Sequence, residues 1–180
     1  MGSGSIPKLM LNLAIPAVVA QLINMLYNIV DRIYIGHIPD AGASALTGVG
    51  LFLPILMMIN AFAMLAGSGG APRAAIAMGK NDKDSAEKIL GNCFSVLLIF
   101  SVVLTVLFYI FAPQLLRLFG ASDVTLPYAL SYARIYILGT VFVMIVMGMN
   151  PFITTQGFAK FSMITTVVGA VLNIILDPIL

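Results

Sequence analysis

Two aspartates lie in segments of the chain that are otherwise almost entirely apolar. Asp31 occurs in NMLYNIVDRIYIG, and Asp177 occurs in VLNIILDPIL. An ionised carboxylate at the centre of a hydrocarbon-length segment costs roughly 2.5–3.5 kcal/mol on insertion scales, so such residues usually face a bundle interior or a water-filled path and serve a function. The two carboxylates are therefore the first candidates for a site that binds a cation or a proton.

Polar residues precede both aspartates at helical spacing. The first set consists of Gln21, Asn24, Asn28 and Asp31. The second set consists of Ser162, Thr166, Gly169, Asn173 and Asp177. Because residues three and four apart share one face of a helix, each set predicts a polar stripe that must face protein or water. We interpret Gln21, Asn24, Asn28 and Thr166 as the polar face of a cavity.

The residues around Asp177 could supply further oxygen ligands. Proline lacks the N–H that would bond the carbonyl four residues earlier, so Pro178 is expected to leave the Ile174 carbonyl free beside Asn173 and Asp177. Carboxylate, carboxamide and unwound helix carbonyl oxygens suit Na⁺. The same carboxylate could instead take a proton, because a low dielectric disfavours its charged form. Both H⁺ and Na⁺ thus remain open as the ion bound at Asp31, Asn173 and Asp177.

Composition indicates an integral membrane protein. Hydrophobic residues make up 61% of the chain and charged residues 9%, and the mean hydropathy is +1.07. A soluble domain of this length could not carry such a composition on its surface. The apolar tracts are long enough for helices, which predicts an all-α, polytopic bundle in a lipid bilayer. The small net charge of +2, with basic residues spread over loops, does not indicate nucleic-acid binding.

Five apolar tracts predict five transmembrane helices of about 20 residues or more each. They cover roughly 11–36, 45–68, 88–112, 127–149 and 161–180. Asp84 and Glu87 have the spacing of a capping box, which predicts the start of the third helix there. The opening MGSGS, residues 1–5, is expected to be a cloning remnant, which leaves 6–180 as one transmembrane domain.

Two shorter features have structural interpretations. The GSGG sequence from Gly67 to Gly70 lacks the lysine and the serine or threonine of a phosphate loop, so we expect a helix end or close helix packing there. Cys93 is the only cysteine and lies in an apolar tract, so we expect a small packing residue. No cofactor, catalytic residue or metal site is predicted, apart from Na⁺ at the site above.

The distribution of basic residues predicts the orientation of the chain. One side of the membrane would carry Lys8, Arg73, Lys80, Lys83, Lys88 and Lys160. The other side would carry Arg117, with Arg32 and Arg134 near helix ends. Because lysine and arginine favour cytoplasmic loops, we expect a multi-pass protein of the plasma (inner) membrane with a cytoplasmic N-terminus. Asp31 and Asp177 would then lie at similar depth, in the outer half of the membrane.

Several segments resemble the N-terminal lobe of the multidrug and toxic compound extrusion (MATE) transporters. They are IPAVVAQLINMLYNIVDRIYIGH, GAPRAAIAMGK, MGMNPFITTQG and VLNIILDPIL. The resemblance runs from about Ile6 to Leu180 and implies helices one to five of a fold with two six-helix lobes. It implies as partners a sixth helix and a second, C-terminal lobe that these 180 residues do not contain.

The resemblance also implies a function. The family's activity is secondary antiport, in which cationic or amphipathic drug-like molecules are exported in exchange for H⁺ or Na⁺, and it is not an enzymatic reaction. By position, Asp31, Asn173 and Asp177 match the family's N-lobe ion or proton site. Asn150, Pro151 and Gln156 fall in a recurring family segment whose role is not specified. Because the family's site also draws on the sixth helix, we expect this chain alone to be inactive.

Four alternatives remain open from the residues. A flippase for lipid-linked sugars, from the same superfamily, would need arginines for a pyrophosphate, where this chain places carboxylates. An intramembrane aspartyl protease would pair two aspartates, but the Val30-Asp31 and Leu176-Asp177 contexts lack the Tyr-Asp and Gly-x-Gly-Asp patterns of that class. A non-transporting membrane module is also compatible with the isolated segment. Asp31 could also mark the membrane interface beside Arg32, with both side chains reaching the headgroups.

Overall fold

The computed structural model describes residues 6–39 and 41–176, and the side chain of Asn173 lies outside that description. This part of the chain contains six helices and no strand. The helices are α1 (Ile6–Gly36), α2 (Gly42–Gly79), α3 (Lys83–Leu118), α4 (Leu126–Leu138), α5 (Thr140–Thr155) and α6 (Ala159–Leu176). The predicted all-α class is confirmed. Residues 1–5, expected to be a cloning remnant, and Asp177 lie outside the described residues.

The first three helices are long and apolar enough to cross a membrane, and α4 with α5 forms a bent pair that qualifies as a fourth span. Ala159–Leu172 of α6 is a shorter apolar segment. The helices extend beyond the predicted spans: α2 continues past residue 68 to Gly79 and is roughly 57 Å long, against a hydrocarbon core of roughly 30 Å. The chain therefore has the helices of a polytopic membrane protein.

The fourth predicted span, 127–149, is not one helix. It divides at Gly139, and α4 and α5 are bent by 57° at that point. The Thr105 hydroxyl of α3 donates to the Ile137 carbonyl at 3.4 Å, which provides a partner for a carbonyl near the end of α4. The tract forms a broken span and not one continuous helix, because Gly139 and Thr140 have a weak helix preference and a hydrogen bond from a neighbouring helix helps to stabilise the break.

The predicted cap of α3 was wrong by two residues. The helix begins at Lys83 with Asp82 as its N-cap, and the Ser85 backbone N–H donates to Asp82 Oδ1 at 3.1 Å. Both aspartates are suitable N-cap residues, and Glu87 at the capping-box position favoured Asp84 in the sequence. The hydrogen bonds from Ser85 hold the pKa of the Asp82 carboxyl below its ordinary value.

The chain divides into two compact units, Met1–His37 with Ile153–Leu180 and Ile38–Phe152. In the first, the α1–α6 unit, α1 packs against α6. In the second, the α2–α5 unit, α2, α3 and α4 pack against one another. The side chains buried most completely in this second unit include Ile55, Ile59, Leu97, Ile137 and Met144.

Glycines allow α2 to approach its neighbours closely in the α2–α5 unit. A Cβ added at Gly67 would lie 2.9 Å from the Gly148 carbonyl oxygen of α5. A Cβ added at Gly70 would overlap Cys93 Sγ of α3 and lie 2.8 Å from a ring carbon of Phe152. Small residues at helix interfaces are typical of membrane bundles. Close packing at Gly67 and Gly70, and the packing role of Cys93, are confirmed, whereas α2 does not end there.

We expect Gly67→Ala to destabilise the protein and Gly69→Ala to leave it as stable or slightly more stable. The added methyl at Gly67 meets a backbone oxygen of α5, which should cost about 1–3 kcal/mol. At Gly69 no heavy atom lies within 4 Å of the new Cβ, and alanine in a helix is favoured over glycine by roughly 0.5–1 kcal/mol. Thermal unfolding followed by circular dichroism in detergent measures both. Equal melting temperatures for the two variants would contradict the close contact of α2 with α5.

We expect Asp82→Ala to lower the melting temperature at neutral pH, and Asp84→Ala to lower it less, because only Asp82 accepts the capping hydrogen bond. Since folding lowers the Asp82 pKa, the stabilisation is present above the unfolded-state value of about 3.9 and is lost as the pH falls through the folded-state value. The difference between parent and Asp82→Ala should therefore shrink in acid. A larger effect of Asp84→Ala would restore the cap predicted from the sequence.

Candidate ion and substrate site

The predicted polar stripe of α1 lies along the edge of the α1–α6 interface. Pro16 is buried, and Ala20, Asn24, Tyr27 and Asp31 are partly buried. These five positions are spaced by three or four residues and share one helix face. Since α1 packs against α6, this is the face turned toward α6, and it carries Asn24 and Asp31.

The other half of the stripe lines an open groove. Gln21 and Asn28 are exposed and line this groove of about 420 Å³ together with Asn24 and Arg32. Its apolar part comes from Met25 and Ile29. The Asn28 amide donates to the Asn24 carbonyl oxygen at 2.7 Å, which holds the carboxamide against the helix. We call this surface the α1 groove.

The residue at the end of the α1 groove is not the one predicted to end the polar stripe. Arg32 lines the α1 groove, whereas Asp31 does not. Sequence reasoning considered Arg32 only as a residue near a helix end, although it lies one turn beyond Asn28 and so shares its face. The stripe therefore has a carboxylate on its interface side and a guanidinium on its groove side.

The described part of the α6 stripe also lies at the interface. Ala159 and Ala170 are buried and Thr166 is partly buried, and these three positions share one helix face. The Thr166 hydroxyl donates to the Ser162 carbonyl oxygen at 3.2 Å, so its donor is satisfied within the helix. Gly169 is exposed. Of the predicted polar positions on α6, Thr166 therefore belongs to the buried face.

The residues that would complete the ion site are outside the description. Asp177 and Pro178 are not among the described residues, and for Asn173 only the helical backbone is described. The ion site at Asp31, Asn173 and Asp177 therefore stays a prediction. Within the described ranges no group of three or more His, Cys, Asp or Glu side chains is arranged to hold a metal ion.

The segment that carries Asn150, Pro151 and Gln156 takes part in helix packing. Pro151 lies inside α5, and its Cγ would be 3.1 Å from a Cβ added at Gly67. Asn150 is partly buried and Gln156 is exposed at the turn after α5. In the structure Pro151 therefore contributes to the contact between α2 and α5.

Comparison with known proteins gives the family. The MatE family model matches residues 16–179, which is nearly the whole chain. The chain belongs to the MATE family. The matched range includes both predicted polar stripes of this MATE chain.

Curated relatives and solved structures agree with this membership. The multidrug export protein MepA of Staphylococcus haemolyticus is 28% identical over 176 residues, which are 98% of this chain and 38% of that protein. A protein named FAD transporter, from Shewanella oneidensis, is 23% identical over 178 residues, which are 99% of this chain and 39% of that protein. The solved MATE multidrug transporter DinF-BH is 35% identical and superposes with a TM-score of 0.92 over 100% of this chain and 40% of its own.

The comparisons bear on two of the alternatives, the intramembrane protease and the lipid-linked sugar flippase. The relatives are membrane transporters, so the MATE chain is not an enzyme, which removes the intramembrane protease. They do not favour the lipid-linked sugar flippase. The chain spans about 38–40% of the length of these relatives and corresponds to part of a MATE transporter.

We expect the polar stripe of α1 to be accessible to water and its opposite face to contact lipid. In a Cys93→Ser background, Asn28→Cys should react with a membrane-impermeant thiol reagent about tenfold faster than Leu26→Cys, because thiols react as thiolates and those form in water. Both parent residues are exposed in the structure, so exposure alone does not distinguish them. Equal labelling rates in membrane vesicles would contradict a hydrated stripe.

Proposed function

We propose that the MATE chain forms the N-terminal lobe of a secondary antiporter that exports cationic or amphipathic drug-like molecules in exchange for H⁺ or Na⁺. The observation that carries this proposal is the polar stripe of α1, which places Asn24 and Asp31 on the face turned toward α6. A carboxylate in a membrane-spanning segment is usually functional. Membership of the MATE family supports the same function.

The proposed coupling is a competition between the ion and the substrate for the negative charge of the site. Asp31, Asn173 and Asp177 would bind the inward-moving ion, and the ionised carboxylates would attract a cationic substrate. Ion or proton binding removes that charge and lowers the affinity for the substrate. By linkage, the substrate lowers the affinity for the ion by the same factor. Exchange then requires only that the site faces each side of the membrane in turn.

The α1 groove has the composition of a permissive binding surface. Met25 is flexible and polarizable, and Ile29 adds apolar area. Gln21 and Asn28 can each donate and accept hydrogen bonds. Flexible apolar groups combined with a few adaptable polar groups suit ligands of varied shape. This supports a range of amphipathic substrates.

A second candidate class of substrate is anionic. Arg32 lines the α1 groove, and one relative is named as a transporter of FAD, a molecule with two phosphates. An anionic substrate would use the Arg32 guanidinium. We favour the cationic class because the two membrane carboxylates, Asp31 and Asp177, outnumber this single basic group.

The proposed location is the plasma membrane, with the N-terminus on the cytoplasmic side. Lys80 lies in the turn between α2 and α3, and Lys83 and Lys88 follow in the first turns of α3. Basic residues concentrate in cytoplasmic loops.

A transport assay with separate ion gradients tests the proposal. The chain is used as it stands and also extended by the sixth helix and second lobe of DinF-BH, in proteoliposomes loaded with a fluorescent cationic dye. We expect the extended protein to move the dye under either a Na⁺ gradient or a pH gradient, and the chain alone to show no gradient-driven transport. Asp31→Asn and Asp177→Asn should each reduce coupled transport by about tenfold or more, equivalent to about 1.4 kcal/mol.

Asp123→Asn is the matched control, because Asp123 is an exposed carboxylate that pairs with Arg117 at 3.0 Å in the turn before α4. It should transport like the parent. If Asp31→Asn and Asp177→Asn also transport and couple like the parent, the proposed ion site is wrong. If the protein moves a flavin dinucleotide instead of the dye, and Arg32→Gln abolishes that movement, the substrate is anionic.

A further inference from the structure

A second open groove lies between α2 and α3, within the α2–α5 unit. Its volume is about 550 Å³, and we call it the α2–α3 groove. Its apolar walls include Leu65, Ala66, Ile76 and Ile89, and its main polar groups are Arg73 and Asn92. It is formed by different helices from the α1 groove, and the proposed transport function assigns it no role.

Small residues of α2 create the space. Ala66 is 8% exposed and Gly70 is buried, so they form the floor of the groove. Gly69 also lines it, and a Cβ added there would meet no heavy atom within 4 Å. A side chain at position 69 would therefore enter the groove without displacing the backbone of a neighbouring helix.

Arg73 is the one charged residue that lines the groove. The side chain is exposed, and within residues 6–39 and 41–176 it makes no ion pair. The apolar span predicted for α2 ends near residue 68, and Arg73 lies about 7.5 Å further along the helix, so we expect its side chain at the level of the lipid headgroups. Leu65 and Ala66 lie on the hydrocarbon side of that level.

The charges around the nearby turn nearly cancel. Three lysines are present, Lys80, Lys83 and Lys88, together with three acidic residues, Asp82, Asp84 and Glu87. None of these six lines the groove. A negatively charged ligand held there would therefore be selected by Arg73 and not by the general charge of the turn.

We propose that the α2–α3 groove binds one anionic phospholipid. Its phosphate contacts the Arg73 guanidinium, which matches phosphate oxygens with a planar fork of donors, and the Asn92 amide supplies a further donor. An acyl chain lies against Leu65 and Ala66. Basic pockets between membrane helices recognise lipid headgroups by this combination of charge and apolar surface.

Native mass spectrometry of the purified chain tests this proposal, with phosphatidylglycerol and phosphatidylcholine of identical acyl chains added in detergent. We expect one phosphatidylglycerol to be retained in preference to phosphatidylcholine. Arg73→Gln should reduce that preference about fivefold or more, whereas Lys80→Gln, which removes a charge outside the groove, should reduce it less than twofold.

A second pair of variants tests the groove itself. Gly69→Leu should fill the groove and reduce retention of phosphatidylglycerol. Gly50→Leu is the control and should leave retention unchanged, because Gly50 does not line the groove. Both glycines lie in α2, and neither has a heavy atom within 4 Å of an added Cβ. Circular dichroism confirms that each variant is folded. If Gly69→Leu does not fold, the comparison of Arg73→Gln with Lys80→Gln decides alone.

Four results would overturn the proposal. The first is equal retention of the two lipids by the parent. The second is an equal effect of Arg73→Gln and Lys80→Gln, which would indicate diffuse charge. The third is displacement of the lipid by an equal concentration of glycerol phosphate, which would indicate an anion site without an acyl contact. Loss of retention in the protein extended by a sixth helix and second lobe would likewise overturn it, because the groove would then be a helix-packing surface.

Discussion

A polar group in hydrocarbon is costly unless it finds a partner, and this constraint bears on most of the polar side chains in the described helices. Thr47, Ser95 and Thr166 each donate to the carbonyl four residues earlier, whereas the buried atoms Asn60 Oδ1 and Thr140 Oγ1 have no hydrogen-bond partner among the described residues. Carboxamides and carboxylates have more donors and acceptors than one carbonyl can satisfy. The stripe that ends at Asp31 therefore needs a neighbouring helix, water or an ion, and this need connects the composition of the chain to its proposed function.

The second constraint is that lipid provides no hydrophobic drive for helix association, so contact depends on close packing. On one side of α2, Gly67 and Gly70 bring the helix against α5 and α3. Beside them, Gly69 leaves space that becomes part of the α2–α3 groove. The same run of small residues therefore allows close packing on one face of α2 and leaves space for the α2–α3 groove on another. This groove carries Arg73, which gives it the proposed preference for an anionic headgroup.

The helical class could be predicted, because it follows from composition and from the length of the apolar tracts. The break at Gly139 was missed because the prediction weighed the length of the tract and not the Gly139-Thr140 pair within it, and because the Thr105 hydrogen bond comes from another helix. The continuation of α2 through Gly70 and Pro72 was missed because tertiary packing overrides their weak helix preference. The cap at Asp82 was missed because Asp82 and Asp84 are both suitable N-cap residues and Asp84 has a glutamate three residues later. The position of Arg32 in the α1 groove was predictable, because Arg32 lies four residues after Asn28 and so shares its helix face.

The central claim is that the carboxylate of Asp177, with Asn173 and Asp31, holds the coupling ion. Infrared difference spectroscopy of the carboxyl groups tests ion binding most directly, on the protein extended by the sixth helix and second lobe and reconstituted in lipid. One spectrum follows the exchange of Na⁺ for choline, and a separate spectrum follows a change of pH. The account predicts a carboxyl signal that changes with Na⁺ or with pH in the parent and disappears in Asp177→Asn. A carboxyl spectrum in which Asp177→Asn leaves every Na⁺- and pH-dependent change intact would contradict it.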